Sequence, residues 1–183
     1  MAAIEKQQEP TTQYEQDGFA LSPPLIPEEL IERVIPRIDA VLAGEYQTGI
    51  KPRNVRFSPQ DPPGKLRRIE QPHLADNVIR RVIMNPDMAS WIAGVLKAKW
   101  LQVWATQLLV KPPHGLDAGS VGWHQDKAYW PYWEGEVFTV WVAISNVTEQ
   151  SGPLRYVPGS HRWGLLQGSD SERRDIAVQR HGL

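Results

Sequence analysis

The spacing of apolar residues changes at Trp100, and this change constrains the fold more than any other feature of the chain. Before Trp100, apolar side chains recur every three to four residues, and after it they alternate with polar ones. The first spacing predicts amphipathic helices, whereas the second predicts half-buried strands. Helices followed by antiparallel strands favour an α+β fold with a jelly-roll sheet.

Two helical regions precede the change in spacing. The first spans about residues 27–44, where Pro27 occupies a first-turn position at which a missing N–H costs nothing and Pro36 predicts a kink. The second spans about residues 74–96 and is interrupted at Asn85-Pro86.

Three other segments lack a sustained helical pattern. Residues 1–13 are polar and predict a disordered tail, and residues 14–21 predict a short helix or turn that leads into a strand. Residues 45–72, rich in Pro, Arg and Gln, predict a long surface loop. We expect residues 14–183 to form a single domain.

Strands are predicted from about residue 100 onward. Residues 101–111 alternate, which places Gln107 and Lys111 on the same face. Residues 136–147 give the clearest alternation in the chain, and residues 154–157 return as a further strand before a Pro-Gly corner.

His124 and Asp126 form a His-x-Asp motif on a predicted short strand. Side chains two residues apart on a strand point to the same face, so these two can bind one metal ion. Two histidines and one carboxylate suit non-haem Fe(II), because they leave coordination positions open for other molecules. The sequence offers no convincing second histidine, and His181 near the end of the chain is the best remaining candidate.

Composition and charge exclude several classes of function. The 183 residues carry 20 basic and 21 acidic side chains, and their basic doublets form no stripe, so we expect neither nucleic-acid nor membrane binding. With no cysteine, disulfides, thiolate–zinc sites and cysteine nucleophiles are excluded. The chain shows no signal core and no apolar run of membrane-spanning length, so we expect a cytoplasmic location.

Several short motifs together resemble a known family. They are Asp17-Gly18-Phe19, Gln107-x-x-x-Lys111, residues 123–126, residues 139–143 and residues 152–164. With these motifs, residues 14–164 resemble the phytanoyl-CoA dioxygenase-like family of Fe(II)/2-oxoglutarate oxygenases. The segment 152–164, which reads Gly-Pro-Leu-Arg-Tyr-Val-Pro-Gly-Ser-His-Arg-Trp-Gly, is the most specific when combined with the His-x-Asp.

The resemblance implies a double-stranded β-helix, a cupin-like jelly roll, with Fe(II) as cofactor and 2-oxoglutarate and O2 as co-substrates. It implies decarboxylation of 2-oxoglutarate with hydroxylation of an unactivated C–H of a small organic substrate. By the same resemblance, His161 belongs to a structural corner and is not a ligand. The implied site residues are His124 and Asp126 for the metal, and Gln107, Lys111, Gln125 and Trp141 for 2-oxoglutarate.

Read without the resemblance, these residues allow other interpretations. Lys111 either pairs with a carboxylate of 2-oxoglutarate or is simply exposed at a strand end, and Trp141 either walls the pocket or belongs to the core. The aromatic loop at residues 129–133 either closes over a substrate or packs against the helices.

The resemblance also places an iron-binding histidine and a 2-oxoglutarate-binding arginine beyond the corner at residues 158–161, where this chain ends soon after. A jelly roll needs about eight strands, and the alternating segments are fewer. We therefore expect a domain truncated at its C-terminus, with exposed sheet edges through which copies self-associate. The candidate replacements for the expected arginine, without a positional argument for any, are Arg173, Arg174 and Arg180.

Two alternatives to an oxygenase stay open. One is a shortened family member that binds or regulates without catalysis and completes its sheet with another chain. The other is a cupin-like ligand-binding module, unrelated to oxygenases, in which the eight tryptophans act as stacking platforms.

Overall fold

Four α-helices and three short β-strands make up the longer regular elements of the described residues, which are 9–58, 60–61, 64–111, 119–135 and 137–167 of this computed structural model. The helices are α1 (Pro10–Asp17), α2 (Glu28–Leu42), α3 (Asn77–Ile83) and α4 (Pro86–Leu96). The strands are β1 (Asn54–Arg56), β2 (Arg67–Glu70) and β3 (Gln107–Val110). Single 3-10 turns are Pro72–Leu74, Asp126–Ala128, Glu149–Ser151 and Ser160–Arg162.

The chain divides into a helical unit and a sheet unit. The helical unit comprises Met1–Lys51, Pro72–Thr106 and Arg155–Arg162. The sheet unit comprises Pro52–Gln71, Gln107–Leu154 and Trp163–Leu183.

Local signals set the helices of the helical unit. α2 and the pair α3–α4 lie within the two segments predicted to be helical, and Pro36 is accommodated inside α2. Asn85 caps α4 by accepting from the Met88 N–H at 2.9 Å, and Pro86 takes the first turn. These helix boundaries depend on residues a few positions apart, and for that reason they can be predicted from the sequence.

The core of the helical unit lies between α2 and α3. Asp76 is completely buried, caps α3 through the Val78 and Ile79 N–H groups, and pairs with Arg37 of α2 at 2.7 Å. A buried charge needs both hydrogen bonds and a partner, and Asp76 has both. The buried apolar side chains of this unit are Val34, Val41, Ala75, Ile79, Val82, Met88, Ile92 and Val95.

The Pro-Gly-Ser-His corner packs on the end of α1, also within the helical unit. Gly18 ends α1 with φ +83°, and the Gly159 N–H donates to the Asp17 carbonyl at 2.9 Å. The ring of His161 lies over Gly18 so closely that a Cβ there would be 2.5 Å from Nδ1. The contact brings two of the motifs, Asp-Gly-Phe and Pro-Gly-Ser-His, together in the structure.

The sheet unit contains an antiparallel sheet with the order β1-β2-β3. Ile69 at its centre is fully buried and pairs with Val55 on one side and Leu108 on the other. Two of the three strands fall within residues 45–72, so the prediction of one long loop there was wrong. The short strands carry few apolar residues, and pairing of β1 with β2 and of β2 with β3, rather than their own pattern, stabilises them.

The predicted later strands are not formed among the described residues. The strand predicted at residues 101–111 is limited to β3, and the described parts of 136–147 and 154–157 hold no paired strand. Alternation of apolar and polar residues predicts which side chains share a face. A strand also needs a neighbouring strand to pair with its backbone N–H and C=O groups. What the described residues show is a mixed helical and sheet fold with a small antiparallel sheet, without a complete double-stranded β-helix.

At the start of the chain, α1 begins at Pro10, so residues 10–13 of the predicted tail are helical, and the strand predicted after it is not formed. None of the helices within the described ranges combines the length and the apolar character needed to cross a membrane.

Candidate metal centre

His124 lies in an irregular segment that leads directly into the 3-10 turn Asp126–Ala128, not on the short strand predicted for it. Its Nδ1 is 2.7 Å from the carbonyl oxygen of Gly122. A carbonyl only accepts, so Nδ1 carries the proton and donates. In the neutral imidazole Nε2 then carries the lone pair, which is the arrangement that metal-binding histidines adopt.

Asp126 faces His124. Its Oδ1 is 3.4 Å from Nε2, and the two side chains are 43% and 28% exposed, so small ions and molecules can reach them. Contact with the Asp126 carboxylate raises the pKa of His124, against the opposing effects of burial and of Arg68. Contact with His124 lowers the pKa of Asp126, again against burial. The pair therefore favours a negative carboxylate beside a basic imidazole.

The second oxygen of Asp126 is also engaged. The Thr139 hydroxyl donates to Oδ2 at 2.5 Å. The ring of Tyr129 stands edge-on to His124, with centroids 5.9 Å apart and planes at 70°. Both side chains of the His-x-Asp motif thus contact residues of the sheet unit that lie outside the motif, namely Gly122, Tyr129 and Thr139.

The donor set fits a divalent metal ion in its chemistry and its spacing. Imidazole nitrogen and carboxylate oxygen lie about 2.0–2.2 Å from such an ion, so two donors at right angles are separated by about 3 Å. The separation of 3.4 Å between Nε2 and Oδ1 is close to that value. Within the described residues, no cluster of three or more His, Cys, Asp or Glu is present. His181, the predicted outside candidate, and the arginines at 173, 174 and 180 lie outside the described residues.

Lys111, predicted to bind 2-oxoglutarate, directly follows β3. Its Nζ donates to the carbonyl oxygen of Gly152, at the start of the Gly-Pro-Leu segment. Burial of the amine lowers the pKa of Lys111, although much of its long side chain is exposed. One of its three N–H donors is therefore engaged by the main chain.

Gln125, between the two candidate ligands, pairs with the main chain. Its Nε2 donates to the Gly164 carbonyl at 2.7 Å, and its Oε1 accepts from the Leu166 N–H at 2.8 Å. These two contacts join the His-x-Asp segment to the chain just after the Pro-Gly-Ser-His corner. A role in binding 2-oxoglutarate would require the amide to exchange these partners.

The other two predicted 2-oxoglutarate residues are exposed. Gln107 begins β3 opposite Glu70, and Trp141 is 44% exposed in an irregular segment. This exposure argues against the alternative in which Trp141 is a core residue. The residues that sequence reasoning missed at this site are Gly122 and Thr139. Thr139 could have been found from the predicted strand at residues 136–147, because residues two apart share a face and Trp141 was a predicted site residue.

The chain belongs to the phytanoyl-CoA dioxygenase (PhyH) family, which it matches over residues 14–177. This confirms the predicted resemblance and argues against a binding module unrelated to oxygenases. No solved structure matches the chain significantly.

Its curated relatives are dioxygenases and hydroxylases at low identity. A probable alpha-ketoglutarate-dependent hypophosphite dioxygenase from Stutzerimonas stutzeri is 28% identical over 97 residues, 53% of this chain and 32% of that protein. An L-proline trans-4-hydroxylase from Streptomyces griseoviridis is 24% identical over 114 residues, 60% of this chain and 41% of that protein. An ectoine dioxygenase from Bordetella parapertussis is 28% identical over 156 residues, 81% of this chain and 47% of that protein. The matched regions thus span about a third to a half of these relatives.

Proposed function

We propose that this chain carries the metal-binding motif of an Fe(II)/2-oxoglutarate-dependent dioxygenase that hydroxylates an unactivated C–H of a small organic substrate. His124 and Asp126 are the proposed iron ligands. The observation that carries the proposal is that Nε2 and Oδ1 face each other at 3.4 Å, while Nδ1 and Oδ2 are both bound to other groups. Each ligand is thereby left with one donor atom for the metal.

Bound at these two side chains, Fe(II) would supply the activation of O2 that is coupled to 2-oxoglutarate decarboxylation. The protein's part is to bind the metal and the co-substrate, to orient them and to exclude water. The Gly122 carbonyl keeps the imidazole in the Nδ1-protonated tautomer, so that Nε2 stays available without a prior proton shift.

Lys111 is the proposed partner of a 2-oxoglutarate carboxylate. Its ammonium group has three donors, and the Gly152 carbonyl engages one of them. The remaining donors can form charge-assisted hydrogen bonds to a carboxylate. The contact with Gly152 holds the end of a flexible side chain in place, which reduces the entropy lost on binding.

Gln107, Gln125 and Trp141 complete the proposed 2-oxoglutarate contacts. Trp141 offers a flat, partly exposed face, and Gln107 offers an exposed amide. Two relatives are named for small organic substrates, L-proline and ectoine. Their names support a small molecule as the substrate of this chain.

A second candidate function is a family member that binds ligands without catalysis. The observation that favours it is the presence of only two suitable donors around the site among the described residues. A weakly held metal would serve binding or regulation better than turnover.

An anaerobic titration of the purified chain with Fe(II) and 2-oxoglutarate tests the proposal. We expect a visible charge-transfer band, which reports direct chelation of the iron by 2-oxoglutarate. The band should be lost in His124→Ala and retained in His73→Asn, a histidine variant in the helical unit. Circular dichroism of each variant checks that it is folded.

A band in the folded wild type that persists in His124→Ala would contradict the assignment of the ligands. Absence of the band in the folded wild type would contradict the dioxygenase proposal for this chain and favour the non-catalytic alternative.

A further inference from the structure

The hydrogen bond between Thr139 and Asp126 joins residues 13 positions apart. The hydroxyl binds Oδ2, whereas Oδ1 faces Nε2 of His124. The two oxygens of one carboxylate thus serve different partners.

An ionised carboxylate has only acceptor atoms, so Thr139 must donate in this contact. The separation of 2.5 Å is at the short end of the range for a hydroxyl bound to a carboxylate, about 2.5–2.7 Å. Such a bond restricts rotation of the carboxylate about its Cβ–Cγ bond. It also reduces the tendency of Oδ2 to bind a second partner, such as a metal ion.

We propose that Thr139 is a positioning residue that makes Asp126 a ligand through Oδ1 alone and turns that oxygen toward Nε2 of His124. This inference rests on the proposed function, because it assumes that the pair binds a metal ion. A carboxylate that binds through one oxygen occupies one coordination position instead of two. More positions then remain for a chelating co-substrate and O2.

The same arrangement is present on the other ligand. The Gly122 carbonyl orients His124 as Thr139 orients Asp126. Groups that orient metal ligands in this way typically affect metal affinity about 10–100-fold when they are removed.

Two variants of the full chain separate the hydroxyl from the shape of the side chain. Thr139→Val keeps the branched shape and removes the donor, whereas Thr139→Ser keeps the donor. Thr148→Val is the matched control, because the Thr148 hydroxyl contacts Ser151 instead of the site. Co(II) serves as the probe, with its affinity measured by calorimetry and its coordination by visible absorption.

We expect Thr139→Val to lower the Co(II) affinity by about 10–100-fold and to change the Co(II) spectrum. Thr139→Ser should restore most of the affinity, and Thr148→Val should match the wild type. In the metal-free chain, the carboxyl 13C shift of Asp126 should change in Thr139→Val and return in Thr139→Ser.

The possible failures are distinguishable. Co(II) binding that depends on Asp126 but is equal in wild type and Thr139→Val would overturn the role of Thr139 and leave the proposed function standing. No Co(II) binding to the wild type would overturn both. An Asp126 carboxyl shift that is the same in all variants would show that the hydrogen bond is absent, and would overturn the inference whatever the metal does.

Discussion

Each of the two candidate ligands has one polar atom engaged by a neighbour and one atom left for a metal ion. His124 is engaged through Nδ1 and Asp126 through Oδ2. Orienting a side chain before the metal arrives removes part of the entropy cost of binding. At the scale of residues, the orientation of the proposed ligands therefore depends on Gly122 and Thr139.

The Gln125 side chain makes two hydrogen bonds to the main chain near the site. Gln125→Ala removes the contacts with Gly164 and Leu166, and each such hydrogen bond contributes about 0.5–1.5 kcal/mol to stability. We expect a decrease of about 1–3 kcal/mol in the free energy of unfolding, measured by urea denaturation, together with faster hydrogen exchange at the Leu166 amide. Gln102→Ala, at an exposed glutamine of the helical unit, is the control and should change little. Equal stability and equal Leu166 exchange in both variants would contradict the role of Gln125.

His73 gives a prediction on pH. Burial, and secondly Arg80, lowers the pKa of His73 below its ordinary value of 6.5, and its Nδ1 lies 2.7 Å from the Thr106 hydroxyl. Since the unfolded chain binds this proton more tightly, His73 contributes stability above pH 6.5 that is lost as pH falls through 6.5 toward the lowered pKa.

We expect the stability of His73→Gln to fall less than that of the wild type between pH 7.5 and about 5.5, in urea denaturation at each pH. Taking the difference between the two chains cancels the other titrating groups, including His124, whose raised pKa acts in the opposite direction. A steeper loss in the variant would contradict the burial of a neutral His73.

At the scale of elements, the end of α1 and the Pro-Gly-Ser-His corner form one packed structure. Gly18 is needed there for two reasons, its positive φ and the ring of His161 above it. The segments are far apart in sequence, and both belong to the helical unit. Phe19 and Tyr156 extend this contact by stacking at 5.0 Å.

Gly18→Ala separates these two reasons when compared with Gly44→Ala. Both glycines have positive φ, but a Cβ at Gly44 meets nothing within 4 Å. Gly44→Ala should therefore cost only the backbone term of about 1–2 kcal/mol, and Gly18→Ala should cost about 1–3 kcal/mol more from overpacking. Adding His161→Ala to Gly18→Ala should recover part of that difference in urea denaturation. Equal losses for the two glycine variants would contradict the packing of His161 on Gly18.

At the scale of the whole molecule, the features that can be predicted from the sequence are those determined by residues close together in the chain. Pro27 and Asn85-Pro86 mark helix boundaries through contacts a few positions away, and α2, α3 and α4 lie where the spacing predicts helices. The family was also predictable, because its motifs are short and specific.

What the sequence does not predict depends on distant partners. Residues 136–147 alternate clearly, yet no paired strand forms in their described part, whereas β1 and β2 form in a segment that reads as a loop. His124 and Asp126 are close as predicted, but Asp126 begins a 3-10 turn and neither residue lies on a strand. The contact with Thr139 depends on the path of the intervening chain, which no local pattern specifies.

NMR of the chain labelled with 15N-histidine, recorded during titration with Zn(II) as a diamagnetic probe, tests whether His124 and Asp126 bind a metal ion. We expect His124 Nε2 to move to the shift of a metal-bound nitrogen while Nδ1 stays protonated and donates to the Gly122 carbonyl. Asp126→Ala should abolish the change. A zinc-dependent change at Nδ1, at another histidine alone, or at no histidine would contradict the claim that His124 and Asp126 form the metal site.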